Sequence, residues 1–113
     1  MRGYGAYQKV QNIAEPPRTI ERRLMGAVTA ALIEARDNPG KLAAKFDAIL
    51  WNKRVWDTFA SEISDEANRL PGELKSAIVR LSAWVTYETQ VVMDGAAPDM
   101  LIEVNQQIIE GLA

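Results

Sequence analysis

The side chains that could do chemistry in this chain are mostly carboxylates and hydroxyls. Glu62, Asp65 and Glu66 cluster in one stretch, with Glu62 and Glu66 four apart and so on one side of a helix. Such a group could in principle hold a metal ion or divide acid and base roles. A solvated acidic face explains it as well, with Asp65 placed to pair with Arg69 four residues on. Asp94 and Asp99 flank a turn, where a carboxylate serves solubility and helix starts. The four serines, Ser61, Ser64, Ser76 and Ser82, lie outside any Gly-x-Ser-x-Gly elbow. The chain has no histidine and no cysteine. A serine triad of the usual kind therefore lacks its base, and thiolate zinc sites and disulfides are excluded. Gly3-x-Gly5 has neither the third glycine nor the preceding strand of a dinucleotide loop, and no phosphate-loop Gly-Lys-Ser/Thr occurs. The residues point away from an enzyme, from a cofactor and from a metal.

Nucleic-acid binding would need a dense basic surface, because phosphate contacts supply most of the affinity. Net charge is −2, but it is unevenly spread: residues 1–60 carry ten Lys/Arg against six Asp/Glu, and residues 61–113 three against nine. Arg18, Arg22 and Arg36 could share one helix face. An ordinary charged helix surface, paired with Glu21 or with the acidic half, accounts for them and is preferred to RNA contact.

The elements that must carry these residues are helices. The chain has 113 residues, which suits one domain, 1–113, and its 48% hydrophobic and 25% charged composition is that of an ordinary globular protein. Pro16-Pro17, Pro39-Gly40, Pro71-Gly72, Gly95 and Pro98 divide segments whose apolar residues recur at helical spacing. A short helix is expected near 5–14, with Tyr4, Tyr7, Val10 and Ile13 three apart. A second runs about 18–37, with Ile20, Leu24, Ala27, Val28, Ala31 and Ala35 on its buried face. There the small Gly26, Ala27, Ala30 and Ala31 would let a neighbour approach closely. The third spans about 41–66, whole or broken near Asp47. Leu42, Phe46, Ile49, Leu50, Trp56, Phe59 and Ile63 mark its inner side, widened by Trp51 and Val55. The fourth, about 73–93, steps Leu74, Ile78, Leu81, Val85, Glu88, Val92 in a bundle seam. The fifth, about 99–112, buries Leu101, Val104, Ile108 and Leu112, with Ile102 and Ile109 forming a second greasy side. The expected fold is all-α: an antiparallel up-down bundle of four main helices plus a short N-terminal helix.

Three tryptophans remain. Trp51 and Trp56 are five apart and so diverge by about 140° on a helix, so they cannot both face one core centre. One of them at a rim would suit partner contact. Met25 to Ile33, the longest apolar run, is too short to cross a bilayer, and the first residues lack the apolar stretch of a signal peptide. A cytoplasmic protein without membrane contact is expected.

Read together, Ala6-Tyr7, Pro17-Arg18 with Glu21 and Leu24, Leu50-Trp51-Asn52 with Arg54 and Trp56, and Asn68 with Leu70-Pro71 make a pattern. Leu81, Trp84, Asn105, Ile108 and Gly111-Leu112 continue it to the end. Over essentially its whole length the chain resembles FlaF, a family of bacterial flagellar biosynthesis regulators. The resemblance implies a role in flagellin synthesis and export, as a flagellin-binding, chaperone-like factor acting opposite the companion regulator FlbT. Tyr7, Trp51, Asn52, Trp56, Ile102 and Ile109 are the candidate partner-binding residues. Two alternatives stay open: a translational regulator that contacts flagellin mRNA directly, and a self-associating structural module or homodimer.

Overall fold

A computed structural model of the chain describes residues 17–65 and 70–112, with the backbone alone for residues 17–21 and 112. The expected helix near 5–14, with Tyr7, lies outside the described residues. Among those described, four helices and no strands occur: α1 Pro17–Asp37, α2 Leu42–Ile63, α3 Gly72–Met93 and α4 Asp99–Leu112. The helices are neighbours in a ring. α1 packs on α2 and on α4, α2 on α3, and α3 more thinly on α4.

Local chemistry sets the helix ends. Pro17 opens α1, where a missing N–H costs nothing. At its other end Arg36 complements the helix dipole, and the Asn38 side-chain amide donates to the Glu34 carbonyl at 2.8 Å. The Lys41 N–H then donates to the Asn38 carbonyl at 3.0 Å, closing the turn into α2. α2 runs unbroken through Asp47, so the segment is one helix, and the Ser64 hydroxyl donates to the Ala60 carbonyl at its end. α3 stops in a paired-bond cap: the Gly95 N–H reaches the Val92 carbonyl at 3.1 Å and the Ala96 N–H the Val91 carbonyl at 3.3 Å. That geometry puts Gly95 at φ +124°, a conformation open to glycine and strained for other residues.

The core gathers Met25, Val28, Leu32 and Ala35 of α1 with Ile49, Trp56, Phe59 and Ile63 of α2. Ile78, Val85 and Val92 come from α3, and Leu101, Ile102 and Ile108 from α4. This corrects the expected faces in detail. On α1 the buried arc is rotated toward Met25 and Leu32, leaving Leu24 40% exposed and Ala27 on the surface. The cause is that α1 touches two helices at once, α2 and α4, so its buried arc centres between them. At Gly26 no neighbour is drawn in close: a side chain there would meet nothing within 4 Å. On α2, Leu42 and Leu50 point outward, and on α3 the fully buried seam includes Ser82 and Thr89, while Leu81 packs half-buried against the core beside it. Thr89 is tolerated there because its hydroxyl donates to the Val85 carbonyl of its own helix at 2.6 Å.

The second greasy side of α4 is used up inside the fold. Ile102 is 3% exposed and Ile109 packs, half-buried, against the core. α4 lies against both α1 and α3, so two of its sides are covered. Ile102 is therefore corrected from a partner anchor to a core residue.

Candidate functional site

Two features stand out, one inside the bundle and one on its surface. Inside, three polar groups of the sequence pattern meet. The Trp56 indole N–H donates to Asn105 Oδ1 at 2.8 Å, and Asn105 Nδ2 donates to Asn52 Oδ1 at 2.8 Å. All three residues are wholly buried. The backbones of α2 and α4 are not neighbours, so this chain of bonds reaches across the centre of the bundle between opposite helices. Each polar atom it satisfies would otherwise cost about 1–3 kcal/mol in the dry interior. Asn52 Nδ2 is buried without a hydrogen-bond partner, so the cluster carries a residual cost on one atom. Directional bonds of this kind fix which faces of α2 and α4 meet, which an apolar contact alone leaves loose. Asn52 and Trp56, expected among the partner-binding residues, are instead wholly buried in a cross-bundle latch. The Trp56 ring also leans on Phe59, centroids 6.1 Å apart and tilted by 60°.

On the surface, a groove of about 560 Å³ runs between α1 and α2 beside their connecting turn. Ala31, Ala35, Ala44 and Ala48 line it, Trp51 forms an aromatic wall, and Glu34, Lys41, Asp47 and Arg54 carry charge of both signs around it. The groove exists because α1 and α2 meet there through alanines, whose short side chains leave the space between the helices unfilled. Trp51 is half-buried, as its divergence from Trp56 requires. Farther along the same helix pair is a small apolar dimple of about 30 Å³, lined by Leu24, Met25, Val55, Thr58, Phe59 and Glu62. On α1, the groove and dimple lie along one strip from Leu24 through Ala31 to Asn38.

Several hydroxyls serve the helices that bear them. Thr29 donates to the Met25 carbonyl at 2.6 Å, Thr86 to that of Ser82 at 3.2 Å and Ser64 to that of Ala60 at 2.8 Å. Among the described residues no group of three acidic side chains converges as a metal site would require. Glu66 and Arg69 lie outside the described residues, while Glu62 edges the dimple and the backbone carbonyl of Asp65 accepts a hydrogen bond from Lys75 Nζ at 3.4 Å. Of the basic residues, Arg36 Nε meets Asp37 at 3.1 Å and Lys53 Nζ meets Asp57 at 2.6 Å, pairs within their own helices instead of with the acidic half. No described helix is long and apolar enough to cross a membrane.

The α1–α2 groove escaped sequence reasoning. Its alanines read as core or close-contact positions, and only the divergence of the two tryptophans hinted that Trp51 belonged to a surface feature. The fold and site together define a small helical protein with a surface groove and a polar latch across its core. Its sequence belongs to the flagellar protein FlaF family, whose model matches residues 4–112, nearly the whole chain. No curated protein and no solved structure matches it. The family places the chain among flagellar proteins.

Proposed function

We propose that this protein is a flagellar biosynthesis regulator that works by binding, without catalysis, and that its client is flagellin, held as by a chaperone and passed on for export. The observation that carries this reading is the α1–α2 groove: about 560 Å³, lined by alanines and walled by Trp51. Flagellin subunits polymerise through amphipathic helices. A groove between two helices accepts such a segment by its apolar face, with an aromatic wall as anchor and mixed charges at the edge fixing register. Holding that face would keep a subunit unpolymerised. A functional link to FlbT follows if both proteins act on the same flagellin supply.

The test is a calorimetric titration of purified flagellin monomer into this protein, repeated with Ala44→Trp. Ala44 is exposed at the groove, so an indole there plugs the space without entering the core. Stoichiometric binding that Ala44→Trp weakens at least tenfold supports the reading. The absence of a complex, or equal affinity in the plugged variant, removes it.

A further inference from the structure

We propose that α3 carries an interface for a second copy of this chain, an antiparallel contact between the two α3 helices with Trp84 on its two-fold axis. The inference does not depend on flagellin as the client, because no residue of α3 lines the α1–α2 groove.

The residues of α3 form two stripes side by side. Ile78, Ser82, Val85, Thr89 and Val92 are buried. Beside them Leu74, Ala77, Leu81, Trp84, Glu88 and Val91 step 3-4-3-4-3, and each is only half-buried. A mostly apolar stripe at that spacing is what one helix presents to another. α3 packs firmly on α2 and thinly on α4, so the second stripe is not closed over within the fold. The Trp84 indole N–H has no hydrogen-bond partner among the described residues, and Tyr87 at the edge of the stripe is 67% exposed.

The charges on this face decide what covers it. Ala77 and Val91 lie about 20° to either side of Trp84 around the helix, Arg80 and Glu88 about 40°, and Leu81 and Tyr87 about 60°. The members of each pair are also equally far from Trp84 along the chain. Turned end for end about Trp84, the face therefore meets itself in register. Ala77 comes level with Val91 of the second copy, Leu81 with Tyr87, and Arg80 with Glu88. The last match joins opposite charges, and the two-fold makes it twice. Glu73 falls level with Gly95, so no like charges oppose each other along the stripe. Neither Arg80 nor Glu88 has an ion-pair partner among the described residues, whereas Arg36 and Lys53 do. Glu88 is half-buried, where a carboxylate gains from a partner. A surface that complements its own reverse is what an isologous two-fold contact requires, and an unrelated partner imposes no such condition. One helix pair is a small interface, so the dimer is weak, with a dissociation constant on the order of 10–100 μM.

Charge exchange reads the register. Arg80→Glu opposes carboxylates at both matches, and Glu88→Arg opposes guanidinium groups at both. Each variant alone should dimerise at least about tenfold more weakly than wild type. Mixed one to one, the two variants set unlike charges at both matches, and association should return to within about threefold of the wild-type constant. Sedimentation equilibrium of the full chain from about 1 to 500 μM measures wild type, each variant and the mixture, with circular dichroism confirming the fold. Arg80 is exposed, so Arg80→Glu decides the matter even where Glu88→Arg disturbs the helix. A wild type that stays monomeric throughout, an undiminished dimer in Arg80→Glu, or a mixture of folded variants that associates no better than either alone would overturn the proposal.

Discussion

Replacing Asn105 by leucine is the sharpest probe of the fold. The side chains branch alike at Cγ with the same number of heavy atoms and leucine is the bulkier, so no cavity forms and the main loss is of hydrogen bonding. In the wild type Asn105 accepts from the Trp56 indole and donates to Asn52, both at 2.8 Å and all wholly buried. Leucine leaves the indole N–H and Asn52 Oδ1 without partners. At about 1–3 kcal/mol for each stranded buried group, the loss is about 2–6 kcal/mol. That is a large share of the roughly 5–15 kcal/mol by which domains are stable. Urea denaturation followed by tryptophan fluorescence reads it: with a slope of about 1–2 kcal/mol per molar, the midpoint falls by at least about 1 M. Removing the whole cluster, as Asn52→Leu, Asn105→Leu and Trp56→Phe together, also removes the stranded groups and the already unpartnered Asn52 Nδ2. The triple variant should therefore regain much of what the single variant loses. A single variant within about 0.5 kcal/mol of wild type, or a triple variant less stable than the single, would refute the latch.

Three further outcomes follow from burial and backbone geometry. Trp56→Ala should cost about 3–5 kcal/mol by equilibrium unfolding, since a wholly enclosed indole leaves a cavity as well as a stranded acceptor. Gly95→Ala forces φ +124° on a residue with a Cβ and should cost about 1–3 kcal/mol, read as a lower melting temperature, although the added carbon meets nothing within 4 Å. Lys53→Ala breaks an exposed pair with Asp57 and should change stability by less than about 1 kcal/mol, checked by the same melt.

The helices were largely legible in the sequence because their boundaries are local. Pro17, Asn38-Pro39-Gly40 and Gly95 act through missing donors, side-chain caps and positive φ, all within a few residues. Which side of each helix is buried was less legible, because that depends on how many neighbours a helix has. α1 touches two, and its face is rotated from the one expected. α4 also touches two, and the surplus apolar side assigned to Ile102 is consumed by them. The latch was invisible for another reason. Asn52 and Asn105 are 53 positions apart, and an isolated buried asparagine carries no periodic signal. Of the candidate partner residues Trp51, Asn52 and Trp56, Trp51 alone stands at the groove. The groove itself is made by alanines, which pattern reading counts as mildly apolar and cannot distinguish from packed positions.

The central claim is that the α1–α2 groove is the contact surface for flagellin. It is tested most directly by comparing the affinity of flagellin monomer for Trp51→Ala and Tyr87→Ala, with circular dichroism confirming that both fold. Trp51 walls the groove, while Tyr87 is 67% exposed on α3 and does not line it. The account predicts that Trp51→Ala loses at least tenfold in affinity and Tyr87→Ala keeps the wild-type value; equal affinities in the two variants, or loss confined to Tyr87→Ala, would contradict it.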